Sequence, residues 1–146
     1  MDKKLSGRVP RRNLEPGSVK AVGVWFLSRS TGRYLYLLRN DPKHPNAWGL
    51  PGGKGEEGES LLTAIQRECQ EELGFFPDYI KLIPLEKFTS ADGKFAYNTF
   101  FCCVADEFKP NLNNEHLGYA WIDSMHWPKP INLVEIQKLP REKHII

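Results

Sequence analysis

The segment GKGEEGESLLTAIQRECQEELGF, residues 53–75, contains the most strongly predicted helix of the chain. Within residues 59–73, apolar side chains recur at the spacing that forms one buried stripe on a helix. The predicted stripe consists of Leu62, Ile65, Cys69 and Leu73. Ser60 is suited to the N-cap, and Gly74 is suited to the left-handed residue that ends a helix. The segment therefore predicts an amphipathic helix that packs against the rest of the fold.

Segments that are rich in β-branched, aromatic and aliphatic residues lie on both sides of this helix and predict strands. They comprise residues 19–28, 33–39, 79–89, 95–104 and 118–122, and residues 48–54 predict a short strand that runs into a glycine-rich bend. Turns are predicted at residues 30–32 and 91–93, and a loop at residues 40–47, which contain two prolines and two asparagines. A short final helix is predicted at residues 131–139. Strands combined with a central and a late helix predict an α/β (α+β) fold in which helices cover a mixed β-sheet.

The composition is that of one globular domain, since 40% of the 146 residues are hydrophobic and 26% are charged. No apolar run approaches the roughly 18 residues that a membrane span requires, and the N-terminus does not resemble a signal peptide. Cys69, Cys102 and Cys103 lie in apolar contexts, which favours buried thiols over disulfides or a zinc site. We therefore predict a cytoplasmic protein that does not contact membranes.

The N-terminal residues concentrate positive charge, although the whole chain carries a net charge of only +2. The cations are Lys3, Lys4, Arg8, Arg11, Arg12 and Lys20. We interpret residues 1–18 as a flexible basic tail, because chain termini are usually loose, and residues 19–146 as the folded domain. A basic arm that binds nucleic acid is the alternative interpretation. We do not expect nucleic acid to be the partner.

The charges of the predicted helix are crowded. Glu68, Glu71 and Glu72 share one sector beside the apolar stripe, where carboxylates three and four residues apart repel each other. A hard divalent cation such as Mg²⁺ or Mn²⁺ would neutralise them, because it prefers oxygen ligands. Arg67 precedes Glu71 by four residues and can pair with it. Upstream, residues 49–58 contain five glycines, which let a backbone approach a metal or a phosphate closely.

Residues 53–75 resemble the Nudix box, G-x5-E-x7-R-E-U-x-E-E-x-G-U, in which U is an apolar residue. The fixed positions are Gly53, Glu59, Arg67, Glu68, Glu71, Glu72 and Gly74. Cys69 and Phe75 fill the two apolar positions, where a branched aliphatic residue is more usual. The order of the predicted strands extends the resemblance to about residues 19–139. It implies a single-domain α/β/α sandwich with a mixed β-sheet.

The resemblance also implies roles for the box residues. Glu68, Glu71 and Glu72 stand in the places of the family's metal ligands, and the carbonyl group of Gly52 matches a further ligand. Glu59 resembles the residue that supports the helix, through Arg67. The catalytic base varies within the family, and here it is either Glu68 or a glutamate on a later loop. Glu115 is the candidate on that loop, as base or as an additional metal ligand.

Substrate contacts are predicted less directly. Arg39 ends the second predicted strand and is a candidate for a contact with a substrate phosphate, with an ordinary surface arginine as the alternative. Trp48 and Tyr97 are candidates for stacking on a nucleobase, although most aromatic residues at alternating strand positions belong to the core. Among the histidines, His116 is the candidate for the site because it follows Glu115.

The function implied by the resemblance is metal-dependent hydrolysis of a diphosphate linkage in a nucleoside diphosphate derivative, with release of a mononucleotide. Nucleotide sugars, dinucleotides and nucleoside triphosphates all remain candidate substrates. A non-catalytic nucleotide-sensing module on the same fold is an alternative, but such modules typically lose box carboxylates. A prenyl diphosphate isomerase is a third hypothesis, and it requires an accessible catalytic cysteine. A homodimer is compatible with the sequence.

Overall fold

A computed structural model describes residues 18–123, and the structural statements that follow apply to that part of the chain. The late helix predicted at residues 131–139 lies outside the described residues. So does the predicted basic tail, apart from Ser18.

Seven strands and one helix make up residues 18–123. They are β1 (Val19–Ser28), β2 (Tyr34–Arg39), β3 (Trp48–Gly49), β4 (Gly52–Lys54), α1 (Leu61–Leu73), β5 (Lys81–Thr89), β6 (Phe95–Val104) and β7 (His116–Ile122). The strand order is β3-β2-β1-β6-β5, with β4 also paired to β1 and β7 to β2. The pair β1–β6 is parallel and the other pairs are antiparallel, so the predicted mixed sheet is confirmed.

The sheet is apolar on both faces, which explains why its central strands are nearly continuous apolar runs in the sequence. On the face that carries α1, Ile65 and Cys69 of the helix pack with Val24 of β1. On the opposite face, Trp25 of β1 stacks on Tyr34 of β2, with the ring centroids 4.2 Å apart. The neighbouring residues Cys102 and Cys103 of β6 lie on opposite faces, and the three cysteines of the chain are buried free thiols, as predicted.

Helix α1 has the predicted caps. The hydroxyl group of Ser60 accepts a hydrogen bond from the backbone N–H of Thr63, and Gly74 adopts the left-handed conformation with φ 89°. The predicted apolar stripe is wrong at Leu62, of which 47% is exposed. Leu61 packs against the core in the first turn instead. The buried stripe is rotated towards a side of the helix that carries Ala64 and two glutamates, so Leu62 falls at its margin.

The strand predicted at residues 48–54 is divided into β3 and β4, because Pro51 has no N–H group to continue a ladder. β3 pairs with β2, whereas β4 crosses to β1. Gly52 begins β4 with a positive φ of 152°, and a Cβ atom there would overlap the carbonyl oxygen of Val22. A glycine is therefore required where the chain passes from one strand pair to the other. This crossing places the backbone of β4 beside α1.

Candidate active site

A cavity of about 720 Å³ opens between α1, the glycine-rich strand β4 and the loops at the ends of β2 and β7. Three glutamates of the helix lie on one side, namely Glu68, Glu71 and Glu72. Arg39 and Glu115 also line the cavity, at the chain segments that the pairing of β2 with β7 brings together. The side chain of Tyr97 lies in the part of the cavity formed by the sheet. The fold thus brings to one cavity residues as far apart in the sequence as Ala21 and His116.

Arg67 organises the helix side of the cavity. Its Nε and Nη2 atoms donate to the two carboxylate oxygens of Glu59, at 2.7 and 3.0 Å. Its Nη1 atom donates to Glu68 at 3.2 Å and to Glu71 at 3.3 Å, and Nη2 also donates to the carbonyl oxygen of Lys54. The hydrogen bonds from Arg67 lower the pKa of Glu59 to about 2. Glu59 is therefore charged at any pH at which the protein works, and it holds the guanidinium group in a bidentate pair.

Glu68 and Glu72 are unusual because they are buried carboxyl groups, only 8% and 4% exposed. Burial raises the pKa of Glu68, and it raises the pKa of Glu72 to about 9. One oxygen of Glu72 accepts a hydrogen bond from the N–H of Gly52 at 2.9 Å, and Glu72 shares a further hydrogen bond with Glu115. A Cβ atom at Gly53 would lie 2.6 Å from Glu68, so the carboxyl group needs a glycine beside it.

The helix glutamates and the glycine backbone of β4 are chemically suited to bind a divalent metal ion. They offer carboxylate oxygens and open backbone, which are the ligands that hard cations prefer. Burial and mutual repulsion disfavour the charged forms of Glu68 and Glu72, and a cation would relieve both effects. Within residues 18–123, however, no three ligand-bearing side chains converge into a preformed cage. Glu68 and Glu71 instead both accept hydrogen bonds from the guanidinium group of Arg67.

The other residues proposed from the sequence are divided between the cavity and the core. Arg39, Tyr97 and Glu115 line the cavity, as does His116. Burial and the nearby Arg39 lower the pKa of His116 to about 4, so its imidazole is neutral at neutral pH. Trp48 is not among the lining residues, because it packs against the apolar cluster on the face of the sheet opposite α1. The structure gives no support to a substrate contact for Trp48.

Several lining residues were not identified from the sequence. They are Ala21, Val22, Asn40, Asp41, Leu50, Lys54, Phe95 and Asn114. Three of the polar ones lie in the loops that join β2 to β3 and precede β7. These loops meet because Arg39 pairs with His116 across a register shift. The sequence did contain a signal for these residues. Asn40 and Asp41 follow directly on the strand predicted at residues 33–39, and Asn114 lies shortly before the strand predicted at residues 118–122.

Comparison with known proteins agrees with the fold and the box. The family model of the NUDIX domain matches residues 17–139. The nucleoside triphosphatase NudI of Escherichia coli is 31% identical over 120 residues, which are 74% of this chain and 81% of that protein. Nudix hydrolase 7 of Arabidopsis thaliana is 36% identical over 88 residues, 59% of this chain and 31% of that protein.

A crystal structure of a MutT NUDIX hydrolase from Burkholderia pseudomallei has a TM-score of 0.65 to this chain, at 23% identity, and the match covers 87% of this chain and 98% of the other. Fold and site together define a pyrophosphohydrolase. The chain belongs to the Nudix hydrolase family, whose members hydrolyse nucleoside diphosphate derivatives and generally use divalent metal ions such as Mg²⁺. No helix within residues 18–123 is long and apolar enough to cross a membrane.

The cysteines argue against the isomerase hypothesis. Burial raises the pKa of Cys69 well above its usual value, and it raises the pKa of Cys102 to about 12. Cys103 is also buried. A thiol acts as a nucleophile in its deprotonated form, so none of these groups is suited to catalysis.

The buried carboxyl group of Glu72 leads to a prediction about the stability of the metal-free protein. The pKa of Glu72 is about 9 in the folded chain, whereas its ordinary value, which applies to the unfolded chain, is 4.5. Between these two pH values the folded state therefore retains a proton that the unfolded state has released. The free energy of unfolding therefore falls as the pH rises from about 4.5 to 9. We expect Glu72→Gln, measured in chelator, to raise the melting temperature at pH 8 by about a few degrees.

The same substitution should have a smaller effect at pH 5, because that pH lies close to the unfolded-state pKa of 4.5 and the wild type has lost there only little of the stability that it loses by pH 8. Glu71→Gln is the matched control, since it makes the same change of carboxyl to amide at a half-exposed side chain of the same helix. A Glu72→Gln variant that is less stable than wild type at pH 8 would contradict the assigned burial cost.

Proposed function

We propose that this enzyme uses Mg²⁺ or Mn²⁺ to hydrolyse the diphosphate linkage of a nucleoside diphosphate derivative and releases a mononucleotide. The observation that carries the proposal is the pair of buried carboxyl groups, Glu68 and Glu72, held beside a glycine backbone and faced by Glu115. Buried carboxyl groups with raised pKa values in a cavity are characteristic of functional sites. Among the substrates, nucleoside triphosphates are the first to test, because the relative from Escherichia coli is named a nucleoside triphosphatase.

The proposed metal ligands are Glu68, Glu71, Glu72 and the carbonyl oxygen of Gly52. A bound metal ion would polarise a phosphate group and lower the pKa of an attacking water molecule. The chain's own contribution is to hold the carboxylates in place. Arg67 fixes Glu68 and Glu71 through hydrogen bonds, and the N–H of Gly52 fixes one oxygen of Glu72.

The substrate is proposed to lie across the cavity, between the helix and the loops. Arg39 lies beside Asp41, with 3.7 Å between the charged atoms, and its guanidinium group is suited to a phosphate. Tyr97 and Phe95 of β6 offer an aromatic surface for a nucleobase. A Cβ atom at Gly23 would overlap the hydroxyl group of Tyr97, so this glycine lets the tyrosine lie across β1.

Glu115 is the proposed general base, with Glu68 as the rival. A base must lie within hydrogen-bond reach of the attacking water, and it must not be committed to a metal ion. Glu115 lies on the loop before β7 and not on the helix, and its side chain shares a hydrogen bond with Glu72. Glu68 is instead paired with Arg67 on its own helix.

The experiment that tests the function is a panel of a nucleoside triphosphate, a dinucleotide and a nucleotide sugar, each with Mg²⁺, with Mn²⁺ or with excess chelator. We expect release of a mononucleotide that requires the metal ion. The rate should rise toward alkaline pH, because a metal-bound water and a carboxylate base both work better when deprotonated. Full activity in excess chelator would refute the metal assignment.

Glu72→Gln is expected to lower kcat on the order of 10²–10³-fold while the fold is retained, because it removes a main electrostatic stabiliser without changing the side chain's size. Circular dichroism and the melting temperature check the fold. Glu57→Gln, at an exposed position of the glycine-rich loop outside the cavity, is the control and should retain wild-type turnover. Near-normal turnover of Glu72→Gln would contradict its assignment as a ligand.

The identity of the base is tested by comparing Glu115→Gln with Glu68→Gln on one substrate. If Glu115 is the base, its substitution lowers kcat more than about tenfold and changes KM little, as expected for an interaction made in the transition state. If Glu68 is the base, Glu115→Gln is nearly silent and Glu68→Gln loses most of its activity. A silent Glu115→Gln variant therefore transfers the role to Glu68.

A further inference from the structure

The C-terminal end of α1 determines where the loop before β7 lies. The last carbonyl groups of a helix have no partner within the helix and must find one elsewhere. The carbonyl oxygen of Gln70 accepts from the N–H of the capping residue Gly74. That of Leu73 accepts from the N–H of Asn111 at 2.8 Å, and that of Glu71 accepts from the side-chain amide of Asn113 at 2.7 Å. Two of these carbonyl groups thus dock the loop onto the helix.

Asn113 connects this docking point to Glu115. While its Nδ2 atom donates to the helix, its Oδ1 atom accepts from the backbone N–H of Glu115 at 2.9 Å. On the other side of the loop, the backbone N–H of Asn40 donates to the carbonyl oxygen of Glu115 at 3.0 Å, and the Asn40 side chain donates to Asn114. The backbone of Glu115 is therefore held from two directions, by the helix through Asn113 and by the loop after β2 through Asn40.

We propose that Asn113 is a positioning residue that sets the carboxyl group of Glu115 opposite Glu72. The inference rests on the proposed role of Glu115 as general base. One amide group spans the carbonyl of Glu71, on the helix that carries the proposed metal ligands, and the backbone of the proposed base. A displacement of the base by about 1 Å can lower the rate on the order of 10²-fold. A contact that fixes the distance between Glu115 and the helix therefore matters for turnover.

The side chain must supply a donor and an acceptor at once. Alanine supplies neither, so Asn113→Ala removes both hydrogen bonds without adding a charge. The chain offers a matched control in Asn111→Ala. Asn111 is an asparagine of the same loop, but it binds the helix through its backbone N–H, which the substitution leaves in place.

The test measures kcat, KM and melting temperature for Asn113→Ala, Asn111→Ala, Glu115→Gln and the double variant Asn113→Ala/Glu115→Gln. We expect Asn113→Ala to lower kcat on the order of tenfold with little change in KM. Asn111→Ala should stay within about twofold of wild type. In the double variant, Asn113→Ala should cause no further loss, because its effect passes through Glu115.

Wild-type turnover of Asn113→Ala would overturn the positioning role. An equal reduction of kcat by Asn113→Ala in the wild-type and Glu115→Gln backgrounds would also overturn it. If Glu115→Gln loses most of its activity while Asn113→Ala is fully active, the positioning role alone fails and the base assignment stands. If Glu115→Gln itself is silent, the base assignment fails and the positioning role falls with it.

A second measurement reports on the contact without catalysis. Amide hydrogen exchange of Glu115 in the metal-free protein should accelerate in Asn113→Ala and stay unchanged in Asn111→Ala, because only the first substitution removes the acceptor of that N–H. Unchanged exchange in Asn113→Ala would show that the hydrogen bond does not hold the loop, and would overturn the proposal.

Discussion

The burial of two carboxyl groups of α1 against a glycine backbone is the constraint on which the site depends. An uncompensated buried charge costs several kcal/mol, so Glu68 and Glu72 require neighbours that reduce this cost. Arg67 supplies a charge beside Glu68, and the N–H of Gly52 supplies a donor to Glu72. Burial still raises the pKa of Glu72 to about 9, although the hydrogen bond from Gly52 acts to lower it. The remaining cost favours the binding of a cation, since a cation stabilises both carboxylates in their charged forms.

The charges around the cavity extend this argument to the substrate. The lining carboxyl groups belong to Asp41, Glu68, Glu71, Glu72 and Glu115, whereas the lining cations are Arg39 and Lys54. A polyphosphate is an anion, and a cavity with this excess of carboxyl groups repels it. Metal ion and nucleotide should therefore bind with positive coupling, each reducing the charge that opposes the other. Arg39 lies at the end of β2, so the proposed phosphate contact belongs to a different element from the proposed metal ligands of the helix.

Local signals in the sequence were enough to predict much of this arrangement. The box helix, its caps and the Glu59–Arg67 pair depend on residues close in sequence, and the structure has them where they were expected. Leu62 was assigned to the core because the apolar spacing does not reveal that buried glutamates rotate the stripe. The lining role of Asn40 was missed for a different reason. It depends on the pairing of β2 with β7, a contact between strands about 75 residues apart.

Both sides of the cavity are positioned by the same 13-residue helix. In the middle of the helix, Arg67 pairs with Glu59 and so joins the glycine-rich loop to the helix. At the C-terminal end of the helix, the carbonyl groups of Glu71 and Leu73 accept hydrogen bonds from the loop that carries Glu115. Gly74 has two roles where the loop contacts the C-terminal end of the helix. Its left-handed conformation ends the helix, and a Cβ atom there would lie 2.8 Å from the Cβ atom of Asn111, so a larger residue would separate the loop from the helix. The glycine that ends the helix therefore also sets how closely the proposed base can approach the carboxyl groups it faces.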